Sequence, residues 1–375
     1  MKKIRVGITG QSGLLDTHVR NFLKTKKDRI DFIYYPRESF SNIEQLTQFV
    51  SRCDIIIHIA GMYRGNPEKI YECNTFLAKQ LIRSIESSHK QPCVIYISST
   101  QEQRDSAYGR SKREGRILLE QWAQKNSAWL VSLILPSEFG PFGKPNHNSV
   151  ISTFSYQLTH NILPRIENDA ELDLVYTGTV AEKIHEIIIN NVSDKVTIVP
   201  ADKKMKVSAI LARLTEFKEE YFDNSIFPKA EDQFTVALFN TFRAYIDQKH
   251  YPVIPPCNKD DRGYLIELVK EYSGGQFFFS VTNPGVTRGN HFHTNKIERF
   301  CVISGEALIE LRRIDTETVI SYRISGVPAA FVDIPVFYTH CITNIGDTPL
   351  TTVFWTNEIF NPDNPDTFYE NVHLV

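Results

Sequence analysis

The sequence predicts two fold classes in succession: an α/β domain on a parallel sheet over residues 1–248, then an all-β barrel over residues 249–375. Three observations predict this. The chain opens as strand, glycine turn and helix, and strand-like and helix-like stretches keep alternating after it. The segment His250-Tyr-Pro-Val-Ile-Pro255-Pro256 then breaks regularity, as a linker does. Beyond it come short alternating runs separated by Gly, Pro and Asn turns.

Taken in order, Ile4-Arg-Val-Gly-Ile-Thr reads as a buried strand that enters Gly10-Gln11-Ser12-Gly13 and a helix from Leu14. Glycines let a backbone approach a pyrophosphate, and a helix N-terminus offers free N–H groups, so this is a dinucleotide-binding arrangement. Asp16 replaces the third glycine of that pattern, which is expected to disturb close helix–strand packing. The second strand, Ile30–Tyr35, ends in Pro36-Arg37. No carboxylate stands where a ribose 2′-hydroxyl would be read, and Arg37 can pair with a 2′-phosphate, favouring NADP over NAD. Ile55–Ile59 is the third strand, and Ala60 and Gly61 leave room for a cofactor. Val94–Ser98 and Leu130–Leu135 continue the series.

Tyr108-Gly-Arg-Ser-Lys112 follows a Ser98-Ser99-Thr100 strand end. Positions i and i+4 share a helix face. An ammonium beside a phenol is expected to lower the tyrosine pKa, and such a tyrosine donates a proton to a carbonyl under reduction. Ser99 or Thr100 would polarise the same carbonyl.

In the second half, His291-Phe-His293 places two imidazoles on one side of a strand, because alternate side chains share a face. Thr294-Asn295-Lys296 suits a turn, and Glu298, Phe300 and Val302 share one face of a returning strand. His340, after Pro335, comes from a distant strand. Three imidazoles and one carboxylate suit Zn²⁺, Fe²⁺, Mn²⁺ or Ni²⁺, with zinc the expected ion. An HxH pair alone more often marks packed or surface histidines; the added Glu298 and His340 reverse that weighting. Cys301 and Cys341 alternate away from the ligand face and are expected to pack.

The whole composition bounds the function. A net charge of −2 gives no bulk attraction to nucleic acid or membrane, and no apolar run of transmembrane length occurs. The positive N-terminus is followed by an apolar run only one strand long, so a cytoplasmic protein is expected. The 6 cysteines form no C-x-x-C and are expected to be free thiols.

The first half resembles the extended short-chain dehydrogenase/reductases, on Thr9-Gly10-Gln-Ser-Gly13, Ile59-Ala60-Gly61, Ser98-Ser99-Thr100, Tyr108-x-x-x-Lys112 and Leu135-Pro136-Ser137-Glu138-Phe139-Gly140-Pro141. The resemblance implies a Rossmann-type fold and a nucleotide-sugar substrate. It also implies Tyr108 as acid, Lys112 as its activator and Ser99 or Thr100 as helper. NADPH would lie against Gly10, Gln11, Ser12, Gly13, Leu14, Arg37, Ala60, Gly61, Lys112 and Pro136.

The second half resembles the cupins through Gly285-x5-His291-x-His293-x4-Glu298-x6-Gly305, and Asp261-Arg262-Gly263 resembles the start of sugar-nucleotide 3,5-epimerase cupins. The order of the two modules resembles the bifunctional UDP-2-acetamido-2,6-dideoxy-L-talose synthases of capsule and O-antigen pathways, the CapF type. That likeness extends to Gly143-Lys-Pro145-Asn146-His-Asn148-Ser149 and to the tail through Asn357-Glu358 and Pro365-Asp366-Thr367. It implies a homodimer whose barrel epimerises C3 of a UDP-linked 4-keto-6-deoxy-HexNAc before the first domain reduces C4 with NADPH. Asn146, Asn148, Ser149 and Arg262 are candidate substrate contacts. Tyr338, Tyr322, Lys296 and Glu267 are candidate C3 bases by residue type. Two alternatives stay open: a reductase whose barrel is a structural, metal-stabilised dimerisation module, and a non-catalytic NADP-binding sensor. The Tyr108/Lys112 pair argues against the sensor.

Overall fold

The computed structural model describes residues 3–10, 13–35, 39–190, 196–260, 263–266, 269–271, 274–358 and 361–374. The chain forms two compact units, Met1–Val150 with Asn168–Val207, and Ile151–Glu167 with Ser208–Val375. This division does not follow a single boundary at residue 248: 151–167 and 208–248 group with the β-rich unit.

The first unit contains β1 (Ile4–Thr9), α1 (Leu14–Lys24), β2 (Ile30–Ile33), α2 (Ile43–Arg52), β3 (Ile55–His58), α3 (Pro67–Ser87), β4 (Cys93–Ser99), α4 (Ala107–Asn126), β5 (Leu130–Leu135) and β6 (Ser137–Phe139). After α5 (Val150–Thr159) come β7 (Glu171–Tyr176), α6 (Thr177–Asn190), β8 (Val196–Ile198) and β9 (Lys203–Lys206). Six strands form one parallel sheet in the order β2-β1-β3-β4-β5-β8.

Alternation divides each strand between two cores. Ile95 and Ile97 of β4 and Val131 and Leu133 of β5 pack with Leu15 and Val19 of α1 and Ile184 of α6. Val94, Tyr96 and Leu130 face the opposite way, onto Leu46 of α2, Leu81 of α3 and Trp122 of α4. The sheet is therefore covered on both faces, as parallel sheets require. Strand order reverses beside β1, which opens a crevice at the carboxyl ends of β1 and β3.

Helix starts are written in side chains. Asn42 caps α2, Asn66 caps α3 with Pro67 just inside, and Ser106 caps α4 by accepting from Gly109 N at 3.0 Å.

The second unit continues with α7 (Val207–Phe217), β10 (Ile226–Phe227) and α8 (Gln233–Arg243), then the short strands β11 (Cys257–Asp260), β12 (Gly263–Ile266) and β13 (Lys270–Glu271). The barrel strands are β14 (Gln276–Thr282), β15 (Thr287–Phe292), β16 (Glu298–Ser304), β17 (Glu306–Arg313), β18 (Val319–Ser325), β19 (Ala330–Ile334), β20 (Tyr338–Asn344), β21 (Leu350–Thr356) and β22 (Phe368–Tyr369). They make two antiparallel sheets, β14-β21-β16-β19 and β18-β17-β20-β15-β22. This is the cupin-like barrel that the sequence predicts.

Behind β16, the buried Arg299 forms an ion pair with Asp333 of β19 at 2.6 Å. Its guanidinium lies 3.7 Å from the Phe331 ring centroid and 4.6 Å from that of Phe227. The Tyr221 hydroxyl donates to the same Asp333 carboxylate. Cys301 packs with Ala329, Phe331 and Val353, away from the barrel interior, and Cys341 is also buried.

Candidate functional site

The first site lies at the carboxyl ends of β1, β3 and β4. Gly10 adopts φ +98°, and a Cβ there would strike the Ala60 backbone, so only glycine lets the β1–α1 turn close onto the end of β3. Gly13 stands at the N-cap of α1 with no side-chain cap, and the space around its missing Cβ is open. That leaves helix N–H groups for an anion such as a pyrophosphate. Leu14 is buried behind the turn. Asp16 is buried in the first turn of α1 and lies 3.7 Å from Arg20, an acidic side chain at the favourable end of the helix dipole. Gln11, Ser12 and Arg37 lie outside the described residues.

Asn74 of α3 joins the cofactor loop to the helix of the Tyr108 motif. It accepts from Met62 N at 2.6 Å and donates to Met62 O at 2.7 Å and to Ser111 Oγ at 2.8 Å. Gly109 lets the first turn of α4 press onto the turn after β4: a Cβ would strike the Gln101 and Arg104 carbonyls. This close approach serves a hydrogen bond between Tyr108 and Ser99. Of the two hydroxyls read from the sequence, Ser99 is thus the partner, while Thr100 is exposed at the start of the next turn.

The electrostatics depart from expectation. Burial pushes the Tyr108 phenol up, a nearby Glu138 adds to the rise, and only Ser99 opposes it. The expected lowering by Lys112 is absent from these influences. Lys112 is buried with Nζ 4.8 Å from the Tyr96 ring centroid. Burial lowers its pKa to about 8, against Glu138 and Glu102, which raise it. His58 lies 2.7 Å from Thr9 Oγ1 and stacks on Tyr96; burial, with the Lys112 charge, keeps it neutral with a pKa of about 3.

Sequence reasoning missed Glu138 as a site residue. It sits on β6, two residues after the buried Pro136, with Oε1 buried and without a hydrogen bond among the described residues. Burial raises it to about 7, against Lys112. An acidic residue three positions after the strand-like run Leu130–Leu135 was the available signal.

The loop carrying Asn146 is tied to the loop after β3. Arg64 donates to Asn146 O at 2.6 Å, and Tyr63 Oη lies 2.9 Å from His147 Nε2. Asn146 and Asn148 are exposed and Ser149 is buried. Arg262 lies outside the described residues.

The second site is inside the barrel. His291, His293, Glu298 and His340 offer ligand atoms that all lie within 4.8 Å of one another. They come from both sheets: His291 from β15, His293 just beyond it, His340 from β20, and Glu298 from β16. A bulge at Asn290, φ +59°, shifts the β15–β20 register just before His291. Glu298 Oε2 lies 3.0 Å from His293 Nε2 and 3.2 Å from His340 Nε2. Among the described residues His340 Nε2 is buried and has no other partner than this Glu298 oxygen.

The two Nδ1 atoms face carbonyls, Asp366 O at 2.6 Å and Tyr338 O at 3.2 Å. A carbonyl only accepts, so each Nδ1 carries a proton; against the lowering by burial, the charge and hydrogen bond of Glu298 raise His293, so its Nε2 also donates, and a bound cation would displace that proton. Burial, with His340 and His293 beside it, lowers His291 to about 3 and keeps it neutral. Burial alone would raise Glu298, but His293 and His340 hold it far below the usual carboxylate range. Imidazole nitrogens around an ionised carboxylate are the donor set of a divalent transition-metal centre.

A cavity of about 380 Å³ opens onto this set, with Phe278, Phe300 and Phe354 as apolar wall and Arg288 and Lys296 as basic side chains. Among the candidate C3 bases, Lys296 lines it. Tyr322 Oη instead donates to Gln248 O at 3.0 Å, Tyr338 is not on the cavity wall, and Glu267 lies outside the described residues.

Comparison with known proteins matches residues 6–199 to the NAD dependent epimerase/dehydratase family and residues 258–368 to the polysaccharide biosynthesis C-terminal domain. A UDP-2-acetamido-2,6-beta-L-arabino-hexul-4-ose reductase of Pseudomonas aeruginosa is 29% identical, over 97% of this chain and 98% of that protein. The solved structure of the capsular polysaccharide assembling protein CapF from Staphylococcus aureus is 31% identical, with a TM-score of 0.62 over 98% of this chain and 100% of that one. RMD from Pseudomonas aeruginosa, solved with NADPH, shares the fold over 58% of this chain at 17% identity and a TM-score of 0.53. Among the described residues, no helix is long and apolar enough to cross a membrane.

Proposed function

Since the chain belongs to the CapF family, in which an NAD dependent epimerase/dehydratase module precedes a polysaccharide biosynthesis C-terminal domain, we propose that it catalyses two consecutive steps on one UDP-sugar. The barrel epimerises C3 of a UDP-linked 4-keto-6-deoxy-HexNAc. The first unit then reduces the C4 ketone with NADPH to UDP-2-acetamido-2,6-dideoxy-L-talose, a precursor of UDP-N-acetyl-L-fucosamine. The observation that carries this reading is the cavity of about 380 Å³ where Lys296 stands with His291, His293 and Glu298, in a chain that also holds the Tyr108, Ser99 and Lys112 group.

Carbonyl chemistry sets the order. A C3 proton is acidic only while C4 is a ketone, so epimerisation precedes reduction. In the barrel, the C3–H bond breaks towards a base on one face, and a C–H bond forms on the opposite face with a proton drawn from solvent. Lys296 is the described candidate for that base. His291, His293, Glu298 and His340 would hold a divalent ion, zinc in this reading, whose Lewis acidity stabilises an enolate. In the reductase, a hydride reaches C4 while the Tyr108 O–H bond breaks and an O–H bond forms on the sugar. A phenol kept neutral by burial holds its proton until negative charge develops beside it. Ser99 orients that phenol, and Lys112, one turn further along α4, carries a positive charge below about pH 8.

The reading includes a homodimer in the cytoplasm, which sedimentation and cell fractionation test. The decisive experiment offers the 4-keto sugar in deuterated water without NADPH. Deuterium is expected at C3. NADPH oxidation without any C3 exchange would leave a reductase whose barrel is only a structural module.

A further inference from the structure

The C-terminal tail before β22 reaches back to the barrel mouth. Asp366 adopts φ +41°, in the left-handed region that Asp enters when its short side chain is held by hydrogen bonds. Its Oδ1 accepts from Thr294 N at 3.0 Å and from Thr294 Oγ1 at 2.6 Å. Its Oδ2 accepts from Asn295 N at 2.9 Å and from Lys296 N at 2.7 Å. Three successive N–H groups of one turn thus converge on one carboxylate. The backbone carbonyl of Asp366 faces His293 Nδ1 at 2.6 Å. The preceding carbonyl, of Pro365, accepts from Lys296 Nζ at 2.7 Å, and the following residue, Thr367, lines the cavity.

From this geometry we propose that Asp366 is a positioning residue of the metal centre. By gathering the 294–296 turn, its side chain pins the tail so that its own carbonyl meets His293 Nδ1. That carbonyl fixes the tautomer that leaves His293 Nε2 for a metal, and the same clamp presents Lys296 to the cavity. A tail that merely stapled the barrel shut would have no need to aim a backbone carbonyl at a ligand ring. Outer partners of ligating imidazoles commonly govern affinity to this degree. The proposal rests on the metal-centre reading of the four-residue cluster.

The test uses the full chain, with Zn²⁺ titrated against a chromophoric chelator and Co²⁺ as a visible-absorption probe. Asp366→Ala is expected to bind Zn²⁺ about 10–100-fold more weakly and to change the Co²⁺ ligand-field bands. Thr294→Val removes a single donor to the clamp and should move both readouts less, in the same direction. A purely structural tail predicts a lower melting temperature with Zn²⁺ affinity and Co²⁺ bands unchanged, and that result overturns the proposal. If Asp366→Ala fails to fold, Thr294→Val decides: unchanged affinity and bands reject the clamp. A wild-type chain that binds neither ion instead removes the metal-centre reading itself.

Discussion

The two sites solve the burial of charge in opposite ways. In the barrel, neighbouring groups complete the ligands: Glu298 sits between His293 and His340, and both ring Nδ1 atoms face carbonyls. In the reductase unit the ionisable groups are buried with less local support. Lys112 rests over the Tyr96 ring, Glu138 Oε1 has no hydrogen bond among the described residues, and burial is the leading influence on both. The first arrangement suits an ion held permanently in one geometry. The second suits protons that move and partners that arrive with cofactor and substrate. A fixed ligand set needs every lone pair assigned, whereas a proton-transfer site needs groups whose charge state is close to changing.

The sharpest way to break this comparison is a crossed pair of variants. Tyr108→Phe removes the proton donor and should lower NADPH oxidation about 10²–10⁴-fold, while deuterium exchange at C3 persists. His340→Ala should abolish both bound metal and C3 exchange, yet leave NADPH oxidation measurable on a substrate already epimerised. If either variant silences both readouts, the two units do not act as separate centres.

A second prediction tests how firmly the barrel is backed. Glu298 faces inward on β16 while its neighbour Arg299 faces outward into Asp333, Phe331 and Phe227. Asp333→Asn leaves a buried guanidinium without its anion, a loss on the order of 3–5 kcal/mol for an uncompensated buried pair. Denaturant unfolding of the barrel signal should register it. A loss below about 1 kcal/mol, typical of exposed pairs, would show that this network is not what holds β16.

The same contrast explains what was legible in the sequence. Repeating patterns were readable because periodicity and glycine placement are local: β5 spans Leu130–Leu135 as read, and Gly10 serves the turn assigned to it. The clustering of His291, His293, Glu298 and His340 was readable because strand alternation brings His291 and His293 together and leaves Glu298 facing them. Groups that act through distant partners were not readable. Asp366 meets Thr294 across 72 residues and Asn74 meets Ser111 across 37. The expected effect of Lys112 on Tyr108 failed for a related reason. Shared helix position fixes where two residues start, whereas burial and Glu138, which belongs to another element, decide the charge. The 248 boundary followed the loss of helical pattern, but helices of 208–243 pack with the strands that come after them.

Glu138 gives the smallest predicted effect and the most specific one. Lys112 has a pKa lowered to about 8 by burial, with the Glu138 carboxylate among the influences that raise it. A group lowered in this way loses its positive charge as pH rises through that value, so NADPH oxidation should decline above about pH 8 in the wild type. In Glu138→Gln the supporting charge is gone, and the ammonium is lost at lower pH. The alkaline limb of kcat should move by up to about one pH unit, equal to about 1.4 kcal/mol. About one pH unit or more below 7 the two proteins should converge, because Glu138, raised to about 7, is then largely protonated in the wild type and Lys112 is charged in both. A difference that is uniform across pH would instead assign Glu138 to contact with the substrate. An unmoved limb with full activity would remove it from the site.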